Sequence, residues 1–83
     1  MLSIDLQNAF EAGHTEDNFT VWLLRLIVKA DSINRRKLSR EFNIEVLAVN
    51  IYTQCCPYKD AALSVVDWEE ISRRATEMDH AGL

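Results

Sequence analysis

The chain has 83 residues, of which 48% are hydrophobic and 27% are charged. These values are typical of a globular protein, and a chain of this length buries about 60–65% of its unfolded surface. A chain that buries this fraction of its surface can form one core, but it has too few residues to enclose a deep active-site pocket as well. We therefore predict a single domain over residues 1–83 that is not an enzyme. The net charge of −4 also argues against non-specific binding to nucleic acid.

The most apolar stretch, FTVWLLRLIVKA at residues 19–30, predicts the helix around which the others pack. Its only polar residues are Thr20, Arg25 and Lys29. A helix that is apolar nearly all the way round must be covered on most sides. We predict this helix over about residues 16–31, with Thr15 as its N-cap, and we expect Trp22 and Trp68 to anchor the core.

The flanking segments predict further short helices, which makes the fold class all-α with four to five helices around the central one. Ser3 is a candidate N-cap for a first helix that reaches Ala12. Its apolar face is formed by Leu2, Leu6 and Phe10. Ser32 is the candidate cap of a third helix, and Asn43 is expected to break it and to cap a fourth that ends before Pro57.

The start of the last helix has two interpretations. In the one we favour, the helix runs from Asp60 to Met78. Its inward-facing residues are then Ala61, Val65, Trp68, Ile71, Ala75 and Met78. In the other, the stretch ALSVV at residues 62–66 is extended, and a separate helix begins at Asp67, which has the spacing of a capping box with Glu70.

The charge is distributed unevenly along the chain. Residues 25–40 contain six bases and one acid, a net charge of +5, whereas the other 67 residues contain 12 acids and 3 bases, a net charge of −9. The densest cluster consists of Arg35, Arg36, Lys37 and Arg40. A solvated helix face explains such a cluster most simply. The functional interpretation is that these four residues bind an acidic protein surface, a phosphate backbone or a guide RNA, since Arg donates paired hydrogen bonds to carboxylate and phosphate.

Residues 35–52 have the pattern of a helix-turn-helix, which gives an alternative function as a DNA-binding transcriptional regulator. Base recognition requires donors and acceptors on the exposed side of the second helix. The side chains expected there are Glu45, Val46, Leu47, Asn50 and Ile51. They are mostly apolar, so the pattern favours a packing role over DNA recognition. Val46, Leu47 and Ile51 are also candidates for a self-association surface, which leaves a homodimer open.

No residues predict a metal or cofactor site. The soft metal ligands are His14, Cys55, Cys56 and His80. They lack the paired short spacings of a structural zinc site, and adjacent cysteines rarely form a disulfide with each other. Asp67, Glu69 and Glu70 with His80 are explained more simply by helix capping than by acid–base catalysis. Since we find neither a secretory signal nor a membrane-spanning stretch, we expect a soluble cytoplasmic protein with reduced thiols.

The segment Ala30–Tyr52, ADSINRRKLSREFNIEVLAVNIY, resembles short proteins of phages, plasmids and other mobile elements. Those proteins combine an apolar helix that ends in Ala-Asp with a following Asn, Leu and Phe, then Glu-Val and Ala-Val or an aromatic residue. They often have Pro after the Phe, where this chain has Asn43. The resemblance implies a small inhibitor of a host function, such as an anti-CRISPR protein, or a small regulator. It assigns no activity to any residue.

Together, these observations predict a non-enzymatic protein that binds and inhibits a host protein or ribonucleoprotein complex in the host cytoplasm. We expect no membrane partner, while nucleic acid is a less favoured partner than protein and a homodimer stays open.

Overall fold

The computed structural model describes residues 2–11, 18–54 and 63–82. These ranges contain four helices and no strand: α1 (Leu2–Phe10), α2 (Phe19–Lys29), α3 (Ser32–Gln54) and α4 (Val65–His80). Helices α1 and α3 each pack against both α2 and α4, so the four helices enclose a shared core. The prediction of an all-α bundle of four to five helices is confirmed. The radius of gyration of 11.9 Å agrees with the roughly 12 Å expected of a compact domain of this length.

Helix α2 forms one wall of this bundle. Its buried residues are Val21, Leu23, Leu24 and Ile27. These positions share one side of a helix, because side chains three and four residues apart lie next to each other. The opposite side faces outward, so the expectation that other helices cover α2 on most sides is wrong for that face.

Three stacked aromatic rings join α1, α3 and α4 at one end of the core. The ring centroids of Phe10 and Tyr52 lie 4.7 Å apart, and those of Tyr52 and Trp68 lie 5.3 Å apart. Trp68 is only 3% exposed, which confirms it as a core anchor. Such pairs stabilise the fold by about 0.5–1.5 kcal/mol each beyond the area they bury.

The first three helices begin at different residues from those predicted. Ser3 lies inside α1 and is buried. Asn18 is the N-cap of α2, and its Oδ1 accepts a hydrogen bond of 2.9 Å from the amide of Val21. Asp31 caps α3 through a 2.8 Å bond from the amide of Asn34 to its Oδ1. The expectations for Ser3, for a start at residue 16 and for Ser32 are therefore wrong, while Thr15 and Ala12 lie outside the described residues.

Helix α3 is kinked where the sequence predicts a break. Phe42 alone departs from helical geometry, with φ −126° and ψ 46°. Asn43 continues the helix, and its side-chain amide donates a 2.8 Å hydrogen bond to the carboxylate of Asp79 on α4. A kink at one residue replaces the multi-residue turn of a helix-turn-helix.

Helix α4 begins at Val65, after the N-cap Ser64. Ser64 and Asp67 form a capping box, in which the Ser64 side chain accepts from the Asp67 amide and the Asp67 carboxylate accepts from the Ser64 amide. The prediction of an unbroken helix from Asp60 is therefore wrong. The alternative start at Asp67 and its capping box with Glu70 are wrong as well. Asp60 and Ala61 themselves lie outside the described residues. Ile71 and Ala75 are buried as predicted, whereas Val65 is exposed.

Substituting Ser64→Ala is expected to lower the free energy of unfolding by about 1 kcal/mol, because it removes the N-cap acceptor. Glu70→Ala removes the acid of the capping box that the sequence suggests, and we expect a change within about 0.5 kcal/mol. Urea denaturation followed by circular dichroism measures both. A larger loss for Glu70→Ala than for Ser64→Ala would contradict this assignment of the helix start.

Candidate protein-interaction site

The outward face of α2 carries three large apolar side chains, Phe19, Trp22 and Leu26, which we call the apolar stripe. Their exposed fractions are 70%, 57% and 54%. The spacing of three and four residues places them along one side of the helix. The prediction that Trp22 anchors the core is therefore wrong. The ring of Phe19 also lies 6.1 Å from that of Phe42, next to the kink in α3.

Two grooves flank the stripe. The first has a volume of about 430 Å³ and lies between α2 and the end of α1, where Phe10, Trp22 and Leu26 contribute to its wall. The second, of about 460 Å³, lies between α2 and the start of α3 and is lined in part by Leu26, Lys37 and Leu38. Leu26 and Lys29 line both grooves and form the ridge between them.

The side chain of Arg25 holds the first groove in place. Its Nη2 and Nε donate to the carbonyl oxygens of Asn8 and Ala9, at 3.3 and 3.4 Å. These carbonyls belong to the last turn of α1, where backbone acceptors lack helical partners and a cation is favourable. The guanidinium also lies 5.4 Å from the centre of the Trp22 ring. Arg25 therefore connects α1 to the stripe and fixes the indole by a cation–π contact.

The ionised side chains that line the two grooves are mostly cations. Arg25, Lys29 and Lys37 line one or both, and we call these three the cationic rim. The acid among the lining residues is Asp31, whose carboxylate already caps α3. Lys29 and Lys37 are exposed. The lining of the two grooves therefore carries a net positive charge, although the chain as a whole is acidic.

Of the four basic residues predicted to bind a partner, Arg35 points into the protein. Its Nε and Nη2 donate to the carbonyls of Ile27 and Val28 at 2.9 and 3.3 Å, and its Nη1 donates to Oδ1 of Asn50 at 3.0 Å. All three nitrogens thus bond within the chain, and the guanidinium connects the end of α2 to both halves of α3. We assign Arg35 a structural role.

The other three predicted contacts, Arg36, Lys37 and Arg40, are exposed on the first half of α3. They do not all face the same groove. Lys37 lines the groove shared with α2, whereas Arg36 lines a separate polar groove of about 590 Å³ that also includes Arg35 and Asn50. Their role as partner contacts remains a prediction.

The proposed self-association surface on the second half of α3 is mostly buried. Val46 is 5% exposed and Ile51 is 7% exposed, and both belong to the core. Leu47 is partly buried against it. The expectation that these three side chains form an exposed surface is therefore wrong for Val46 and Ile51, because α3 packs against α2 and α4 together.

The same burial affects the helix-turn-helix interpretation. Of the side chains expected to face a DNA groove, Val46 and Ile51 lie in the core. Glu45 and Leu47 are partly buried, and Asn50 accepts a hydrogen bond from Arg35. The second half of α3 therefore presents few free donors or acceptors to bases.

The acid–base candidates do not form a site in the described part of the chain. Asp67 is occupied in the capping box, while Glu69 and Glu70 are exposed. Among the described residues, no three His, Cys, Asp or Glu side chains lie close enough together to hold a metal ion. His14, Cys55 and Cys56 are outside these residues.

No known family, curated protein or solved structure matches this chain. Within residues 2–11, 18–54 and 63–82, no helix is both long enough and apolar enough to cross a membrane.

The sequence itself contains a signal for the apolar stripe in the spacing of its two cations. Arg25 and Lys29 are four residues apart and so mark one face of α2. Trp22 lies three residues before Arg25, and Leu26 lies three residues before Lys29. The positions of the two cations thus indicate which of the many apolar residues of α2 face outward.

Proposed function

We propose that this chain is a non-enzymatic interaction protein that binds a partner protein through the apolar stripe and the cationic rim. The observation that carries the proposal is the exposure of Phe19, Trp22 and Leu26 side by side on a helix whose other face is core. Clustered exposed apolar residues on a folded domain are typical of binding sites. Tryptophan is also among the residues that contribute most to protein–protein affinity.

The size of the chain sets the extent of such an interface. A stable complex buries about 800 Å² on each partner. The whole solvent-accessible surface is 5459 Å², so an interface of that size covers roughly a seventh of it. Three side chains cannot supply this area alone. The partner must therefore also cover the two grooves and the cationic rim.

The resemblance to mobile-element proteins extends the proposal to the biological role. A small protein with an exposed docking face and no proposed chemistry acts by occupying a surface that its target needs. We therefore propose that it inhibits a host protein or ribonucleoprotein complex. Inhibition is tested by assaying the captured complex with and without this protein.

The experiment that tests the proposed function is capture of partners from host lysate with the tagged chain, with and without nuclease. We compare wild type with the double variant Trp22→Ala and Leu26→Ala. The matched control is Ile4→Ala with Val66→Ala, which removes exposed apolar side chains from α1 and α4. Circular dichroism verifies that all three proteins are folded.

We expect a nuclease-resistant protein partner whose yield falls at least tenfold with the stripe variant and is unchanged with the control. Loss of about 1–2 kcal/mol at each of two hot-spot residues gives a decrease of this size or larger. Equal capture by the stripe variant would refute the site. Capture that disappears with nuclease would instead favour the DNA-binding regulator.

A further inference from the structure

We infer that the segment recognised by the apolar stripe is an acidic amphipathic helix of the partner protein. This inference rests on the proposed function and specifies the chemistry of the partner at the same site. Three features of the described residues carry it: the shape of the surface, the sign of its charge and its length.

The surface is a ridge between two grooves. Leu26 and Lys29 form the ridge, and grooves of about 430 and 460 Å³ lie on either side. An amphipathic helix binds such a surface by placing apolar side chains at positions i, i+3 or i+4, and i+7 into the depressions. The Arg25 guanidinium, 5.4 Å from the centre of the Trp22 ring, gives this indole a defined position against which a helix can pack.

The charge of the rim selects an acidic partner. Lys29 and Lys37 are exposed, and Asp31, the acid that lines the second groove, is occupied as a helix cap. Carboxylates that flank the apolar side chains of a partner helix would meet these cations at the edge of the contact. Opposite charges at such an edge favour the correct partner and speed association. A symmetric dimer through this face would instead bring two cationic rims to one interface.

The length of the surface matches a short helix. Lys29 lies ten positions after Phe19, which corresponds to about 15 Å along α2. A partner helix of roughly three turns covers this distance. The first groove reaches the end of α1 and the second reaches the first half of α3, which widens the contact beyond the ridge.

The test is selection from a displayed library of random 16-residue peptides on the full chain. Peptides that also bind the Trp22→Ala, Leu26→Ala variant are removed. We expect the enriched peptides to share apolar residues at helical spacing and an excess of Glu and Asp. Enriched peptides that are basic, or that alternate apolar and polar residues as strands do, would overturn the inference. Failure to enrich any stripe-dependent peptide would do the same.

Charge variants provide the quantitative readout on a selected peptide. Lys29→Glu with Lys37→Glu is expected to weaken binding at least tenfold, measured by isothermal titration. Arg36→Glu with Arg40→Glu makes the same change in charge on exposed residues that do not line the two stripe grooves. We expect this control to weaken binding less than threefold. Equal losses in both variants would show a general charge effect and overturn the inference.

Two further measurements separate this inference from its competitors. The first is cosedimentation with phosphatidylcholine vesicles that contain about 25 mol% phosphatidylglycerol, enough for a negative surface potential, and it tests whether the stripe binds a lipid surface. The second is light scattering, which tests whether the stripe binds a second copy of the chain. Stripe-dependent binding to the vesicles, or a stripe-dependent dimer, would overturn the proposal of a partner helix.

A photo-crosslinker, benzoylphenylalanine at position 19, identifies the segment of the captured partner. A stripe-dependent partner that crosslinks outside any acidic helix overturns this inference and leaves the proposed function intact. If the lysate contains no stripe-dependent partner, the proposed function fails.

Discussion

Leu24→Ala is expected to destabilise this protein by about 3–4 kcal/mol, whereas Leu26→Ala, two residues further along the same helix, is expected to change stability by less than about 1 kcal/mol. Leu24 is 0% exposed in the core and Leu26 is 54% exposed on the apolar stripe. The first substitution leaves a cavity that its neighbours fill only partly. The second removes a side chain that already contacts water.

For a domain of 83 residues, total stability is on the order of 4–12 kcal/mol. Leu24→Ala therefore removes a large fraction of it and lowers the melting temperature by roughly 12–25 °C. Thermal and urea denaturation measure both variants. Equal stability of the two proteins would mean that the described orientation of α2 is wrong.

The two leucines also separate stability from binding. If α2 binds a partner through the stripe, Leu26→Ala reduces partner capture in a protein that unfolds at nearly the wild-type temperature. Leu24→Ala, assayed well below its own melting temperature, retains capture because the stripe is unchanged. The opposite pattern would contradict the proposed site even if the fold is correct.

Sequence periodicity predicted the parts of the fold where apolar and polar residues contrast. The face formed by Leu2, Leu6 and Phe10 on α1 packs on the core as predicted, and so do Trp68 and Ile71 on α4. In both helices the remaining positions are largely polar, so a period of 3.6 residues identifies the buried side.

The orientation of α2 was not predicted because the two sides of this helix differ too little in polarity. Trp22 and Leu24 are both large and apolar, and the choice between them depends on which side meets α1 and α3. The second half of α3 presents a related problem, since neighbours on two sides bury Val46 and Ile51, which a one-sided helix would expose. Helix starts were missed for a different reason, because each junction offers several residues that can cap a helix.

Arg35→Met is the second substitution for which we expect a large effect, a loss of about 2–3 kcal/mol in the free energy of unfolding. Methionine retains much of the aliphatic length but cannot donate hydrogen bonds. The carbonyls of Ile27 and Val28 and the amide oxygen of Asn50 then lose a charged donor. Hydrogen bonds to charged groups contribute about 1.5–3 kcal/mol each, and partial exposure to water reduces their sum.

The neighbouring residue supplies the control. Arg36→Met removes the same charge from an exposed position, and we expect a change within about 0.5 kcal/mol. Arg35→Lys should recover only part of the loss, because a single ammonium group cannot reproduce the planar set of donors that reaches three acceptors. Urea denaturation measures the free energy of unfolding of the three variants and ranks them. A smaller loss for Arg35→Met than for Arg36→Met would contradict the structural role.

A double-mutant cycle with Asn50→Ala isolates one of these bonds. We expect a coupling of about 1 kcal/mol between Arg35 and Asn50, since each side chain is the other's partner across the kink of α3. Measuring both stability and partner capture of Arg35→Met decides between the two interpretations of this residue. As a partner contact, Arg35→Met would reduce capture and leave stability unchanged. If Arg35 instead fixes the end of α2 against α3, the substitution lowers the free energy of unfolding. It then affects partner capture only by altering the groove that Leu26 and Lys37 line.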